Sequence, residues 1–201
     1  TSPGLLSITR PDGSTDASLP RATAGAGARL ALRGAQVQHD GTIELPSGVL
    51  EVTASTGAAQ FGEGSLTQLQ GRSQLFDGQP VATSGGTLTV SALAGDVRLF
   101  DEAWIDVSAG GAGARAGTVN LSATQGRLVV DSNLRATSQA GDGLGGTLRL
   151  DSAAAFNLDQ LAGQVADGRT ATQGNFARRI EVRNRQGDQR LEAGTTLAAE
   201  Q

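Results

Sequence analysis

The sequence predicts an all-β chain, wound as a parallel β-helix of about six three-stranded coils, and three observations predict it. A phrase recurs as GGTLTVSA at 85–92, GTVNLSA at 117–123 and GGTLRLDSA at 145–153, with Thr87, Thr118 and Thr147 spaced 31 and 29 residues apart. Apolar residues alternate in short runs instead of forming helical stripes, and 29 glycines punctuate them. A near-fixed period of this length marks a solenoid, in which a unit buries its apolar face only by stacking on a neighbour.

Taken in order, residues 1–28 read as one edge strand, Leu5 to Ile8, followed by a Gly, Ala, Ser and Pro-rich loop. Residues 29–201 form the repeat region. The first coil is RLAL (29–32), AQVQ (35–38) and TIEL (42–45), and the second is VLEV (49–52), AAQF (58–61) and SLTQL (65–69). TLTV (87–90), DVRLF (96–100) and AWIDV (103–107) make the third, and TVNL (118–121), RLVV (127–130) and NLRA (133–136) the fourth. The fifth is read as TLRL (147–150), AFNL (155–158) and LAGQV (161–165), and the sixth as RIEV (179–182), QRLE (189–192) and TTLA (195–198).

Period-two alternation turns Leu88 and Val90, Val119 and Leu121, Leu148 and Leu150, and Ile180 and Val182 to one side, stacked as columns. Ala92, Ala123 and Ala153 follow the first strand, where a narrow coil turns. Insertions concentrate at the link between a third strand and the next first strand, at 70–86, 108–117, 137–146 and 166–178, and so line up as one ridge of loops.

Composition narrows the function classes. The chain has no cysteine, so it carries no disulfide framework, thiolate nucleophile or Cys-ligated zinc. Its 16 basic residues are all arginine, its net charge is -4, and the charges are mixed along the chain. No basic stripe for nucleic acid appears, and no run approaches the ~18 apolar residues needed for membrane insertion. The expectation is a protein without enzymatic activity or an obligatory cofactor.

Five groups of residues invite a functional reading. Acidic residues recur between second and third strands, at Asp40, Glu63, Asp101 with Glu102, Asp131 and Asp159. Stacked at ~4.8 Å they would form a carboxylate ladder able to hold calcium, with Asp101, Asp131 and Asp159 as the metal candidates, or to act as a glycosidase pair. Turn chemistry explains the same residues more simply. Trp104 points outward beside Asp106 and is a candidate for stacking on sugar rings, unless loop 70–86 with Leu75 and Phe76 folds over it.

Gly111, Gly113 and Gly117 have a dinucleotide-like spacing, but a strand follows where a helix is required. His39 reads as an isolated turn histidine. Arg178, Arg179, Arg183, Arg185 and Arg190 make the last coil locally basic, a solvated face that an anionic polysaccharide could also use.

With GGTLTVSALAGDVRL, AWIDVSAGGAGARAGTVNLSA, GRLVVDSNLRA and GGTLRLDS in hand, residues 29–201 resemble the central repeat region of filamentous haemagglutinin-like large exoproteins, the adhesins of bacterial two-partner secretion. The resemblance is one of repeat style, and the repeats are distinctive only as a set. It implies a right-handed β-helical rod, exported through an outer-membrane two-partner-secretion transporter to the cell surface. There it would act in adhesion, aggregation or biofilm formation and meet a polysaccharide or cell-surface ligand.

Overall fold

The computed structural model describes residues 4–9, 26–139, 145–166, 173–176 and 178–195. The chain opens with β1 (Leu5–Ile8), and four three-strand repeats follow. They are β2 (Arg29–Gly34), β3 (Gln36–His39) and β4 (Thr42–Glu44); β5 (Val49–Ala54), β6 (Ala59–Phe61) and β7 (Leu66–Gln68); then, after a hairpin of β8 (Ser73–Phe76) and β9 (Gln79–Ala82), β10 (Thr87–Ala92), β11 (Val97–Leu99) and β12 (Trp104–Asp106); and β13 (Thr118–Ala123), β14 (Leu128–Val130) and β15 (Asn133–Arg135). The remainder is β16 (Thr137–Gln139), β17 (Thr147–Ala154), helix α1 (Leu158–Ala166), β18 (Gln173–Asn175) and β19 (Arg179–Gln186).

Each of the four repeats contributes one strand to each of three parallel sheets. The first strands, with β17 and β19, form a six-stranded sheet in the order β19-β17-β13-β10-β5-β2. The second strands form β1-β3-β6-β11-β14, and the third strands form β15-β12-β7-β4. Among the described residues the fold is therefore all-β apart from α1, and its larger sheets are parallel. Parallel neighbours need a long connection, and here the other two strands of each repeat supply it.

Register explains the repeated phrase. Leu50, Leu88, Val119 and Leu148 are partners across successive strands, as are Val52, Val90, Leu121 and Leu150, and all eight are almost completely buried. Burial of such side chains stabilises by roughly 1.5–3 kcal/mol each. The glycine that precedes each strand has a separate cause: a Cβ on Gly86 would come within 3.0 Å of the Gly48 carbonyl, and one on Gly117 as close to that of Gly86. Backbones of successive repeats touch at this corner, so no side chain fits.

The small-residue column holds Ala54, Ala92 and Ala123, but its next member is Ser152, not Ala153. The extra residue in GGTLRLDSA shifts the phrase by one. Ser152 tolerates burial because its hydroxyl accepts the Leu128 N–H at 3.3 Å.

The last two coils differ from the expectation. AFNL and LAGQV are not strands: 155–157 are irregular and α1 follows, packed against β15 at the end of the third-strand sheet with Leu161, Ala162 and Val165 buried. Asn157 caps the helix, its Oδ1 accepting the Gln160 N–H at 3.0 Å, and Asp159 lies in the first turn, where the helix dipole favours an acid. QRLE at 189–192 is irregular chain laid over this segment, where the Glu192 N–H donates to Asp159 at 2.9 Å. Most of TTLA lies outside the described residues.

The loop links do meet one another. The Gly71 N–H donates to the Ser108 carbonyl, the Gly110 N–H to that of Thr83 and the Ala109 N–H to that of Thr137, and β16 pairs antiparallel with β18. Residues 70–86 are not plain loop: they contain the β8–β9 hairpin, turned by Asp77 and Gly78 at positive φ.

Candidate functional site

Trp104 sits where alternation places it, on the outer side of the third-strand sheet. Its row runs Thr42, Leu66, Trp104, Asn133, and the next outward row is Glu44, Gln68, Asp106, Arg135. Trp104 and Leu66 are half-buried against each other's strands. Asp106 is partly committed to the local turn, because Oδ1 accepts the Ser108 N–H at 2.8 Å.

The hairpin does not gather Leu75 and Phe76 into a closed site. They remain 76% and 75% exposed, as is Val81 at 52%. What is fixed is the hairpin's base: Thr83 Oγ1 accepts from the Arg72 N–H at 2.8 Å and meets Ser47 Oγ at 2.7 Å, while Arg72 reaches Glu44 at 2.9 Å. The result is an apolar tip on an anchored stem.

The acidic residues do not form a continuous ladder. Strand register places Asp131 opposite Phe100, and a glycine, Gly62, lies against Asp40. Asp101 and Glu102 fall in a two-residue expansion of the turn between Phe100 and Trp104 that the next repeat, passing from Asp131 to Asn133 through Ser132, lacks. Each metal candidate has a local role: Asp101 accepts the Glu102 N–H at 2.9 Å, Asp131 accepts from the Gln160 side chain, and Asp159 holds the Glu192 backbone. Among the described residues no three His, Cys, Asp or Glu side chains are grouped to hold a metal ion.

His39 is not a turn residue. It is fully buried at the end of β3, in the column that contains Phe61 and Leu99, and burial lowers its pKa to about 4. A core imidazole held neutral has no access to substrate.

The feature that sequence reasoning missed lies on the outward side of the repeated strands. A groove of about 830 Å³ runs across β10, β13, β17 and β19, lined by Thr89, Asn120, Ser122, Arg149, Asp151 and Arg183. Asn120 Nδ2 donates to Thr89 Oγ1 at 3.3 Å, a rung between repeats, while Asn120 Oδ1 is buried without a partner. Arg149 pairs with Glu181 at 2.5 Å, and Arg179 pairs with the same carboxylate.

Arg185 grips Asp151 through two bonds of 2.8 and 2.7 Å, which holds that carboxyl below its usual pKa. The signal was present in the sequence: the outward positions of the phrase are Thr, Asn, Ser and charged residues, all hydrogen-bonding types. The glycine triplet 111, 113 and 117 stays in irregular chain leading into β13.

A comparison with protein-family models finds no match, and neither the curated proteins nor the solved structures yield a similar chain.

Proposed function

We propose that the three parallel sheets close into a right-handed β-helical rod, and that the chain is a non-enzymatic structural and adhesive segment of a secreted bacterial surface adhesin. The observation that carries this reading is the stacking itself: four successive repeats each add one strand, in register, to the same three parallel sheets. Such a design grows in one dimension and gives length and stiffness from modest sequence complexity. The repeat style that resembles the filamentous haemagglutinin-like exoproteins supplies the rest: export through an outer-membrane partner, display at the cell surface, and a part in adhesion, aggregation or biofilm growth.

Small-angle scattering from the purified chain tests the rod, which requires a cross-section constant along its length. Antibody labelling of intact producing cells tests display. A globular scattering profile would remove the rod, and label confined to broken cells would remove the surface assignment.

A second reading, a carbohydrate-binding module, is favoured by Trp104 standing outward between Leu66 and Asn133 with Gln68 and Asp106 in the next row. Loss of glycan-array signal in Trp104→Ala is its expected signature, and an unchanged array would eliminate Trp104 as the platform.

A further inference from the structure

The groove across β10, β13, β17 and β19 combines two kinds of partner. At the β10 and β13 end it offers neutral groups, Thr89, Asn120 and Ser122, in adjacent strands. At the β17 and β19 end it offers guanidinium groups, and there the charges do not balance. Among the described residues Arg149, Arg179, Arg183 and Arg185 face two carboxylates, Asp151 and Glu181, so these six groups sum to +2 on a chain whose net charge is -4. Arg149 and Arg179 share Glu181, and Arg185 takes Asp151 bidentately. Arg183 stands across from Asp151 in register but makes no close ion pair among the described residues, because both Asp151 oxygens are taken by Arg185; its guanidinium is left exposed and lining the groove.

We propose that this groove binds a linear polysaccharide bearing carboxylates, laid across the strands with an acid group on Arg183 and sugar hydroxyls on Asn120, Ser122 and Thr89. Hydroxyls suit the neutral end because each both donates and accepts, as the half-buried hydroxyl and amide side chains of Thr89, Asn120 and Ser122 do. A carboxylate suits the basic end because the planar guanidinium fork matches it, as the adjoining Arg185–Asp151 pair already does. The neighbouring pairs also fix the groove walls before the ligand arrives, which lowers the ordering cost of binding. The rows repeat at the strand spacing, so a polymer can follow the groove where a single sugar would use only part of it.

The test is binding of the whole chain to polygalacturonate, with neutral dextran and dextran sulfate as comparison polymers, at low and high salt. Polygalacturonate is expected to bind best and to weaken as salt rises. Arg183→Ala should weaken it about tenfold, the scale of one charge-assisted contact, and Ser122→Trp, which fills the groove from an outward row, should do the same. Arg33→Ala, on the same sheet at the opposite edge, should bind like the unaltered chain.

Equal affinity for dextran overturns the proposal, as does tighter binding of dextran sulfate, or polygalacturonate binding that Arg183→Ala leaves untouched. Circular dichroism separates lost binding from lost folding. Should Ser122→Trp fail to fold, the exposed Arg183→Ala decides alone. The proposal does not rest on the rod: scattering can reject the rod while this binding stands, and the reverse.

Discussion

The imidazole of His39 meets the phenyl ring of Phe61 edge to face, with centroids 5.3 Å apart and planes at 88°. The contact joins two consecutive repeats, since His39 and Phe61 are register partners in β3 and β6. It also places a titratable ring in a dry column, with neither ring nitrogen in a well-formed hydrogen bond.

The consequence is acid sensitivity. Burial is the main cause that brings the His39 pKa from 6.5 to about 4, against weaker opposition from the Leu66 backbone and Asp40. The unfolded chain therefore binds the proton more readily, and stability falls as pH drops from 6.5 toward 4. The shift corresponds to roughly 3 kcal/mol. Melting temperatures measured across that window should decline less in His39→Leu than in the unaltered chain. Parallel declines would show that His39 is not the sensing group.

Gly117 makes a sharper steric prediction. Gly117→Ala drives a Cβ into the Gly86 carbonyl, and neither backbone can move without breaking sheet register. Destabilisation of about 1–3 kcal/mol is expected, the usual cost of overpacking. Gly78→Ala, at positive φ in the open hairpin turn with nothing within 4 Å, should strain only the hairpin. Urea unfolding of both variants checks the ranking, which fails if the two midpoints shift alike.

The inward and outward faces of the repeated strand should respond by different amounts. Leu121 is 1% exposed in the middle of its column, so Leu121→Ala removes contacts with both neighbouring repeats and should cost about 2–5 kcal/mol. Thr89→Ala, on the outward face, loses only the 3.3 Å bond from Asn120 and should cost about 1 kcal/mol. Chemical denaturation followed by far-ultraviolet dichroism reads both.

These contrasts mark what was legible in the sequence. Alternation in TLTV, TVNL and TLRL was enough to assign strands, inward faces and columns, because period two leaves little freedom once a glycine pins the start of each strand. The helix was missed for a physical reason. LAGQV was read as a continuation of the repeat, yet Leu158, Leu161, Ala162 and Val165 have helical spacing and Asn157 stands three residues before Gln160 as a cap. The carboxylate ladder was misplaced because turn lengths differ between repeats, which strand pattern alone does not report. The groove was overlooked because outward polar positions look like ordinary solvated surface until their neighbours across the sheet are known.

Helix α1 yields the last prediction. In the preceding repeats the ends of the second-strand and third-strand sheets are covered by the next repeat's strands, but after β14 and β15 no strand is added among the described residues. Leu161 and Val165, 1% and 2% exposed, cover that end, and Gln160 fastens the helix to Asp131. An uncovered parallel edge is a template for another chain. Leu161→Asp places a charge in the common core that Leu161 shares with Leu128 and Leu134, so the helix should lift and expose the strand ends. The expected outcome is concentration-dependent association by light scattering with strand content retained, whereas Glu192→Ala, at an exposed site over the helix start, should leave the chain unassociated. If Leu161→Asp instead stays at the mass of the unaltered chain while keeping its fold, α1 is not what keeps this end closed.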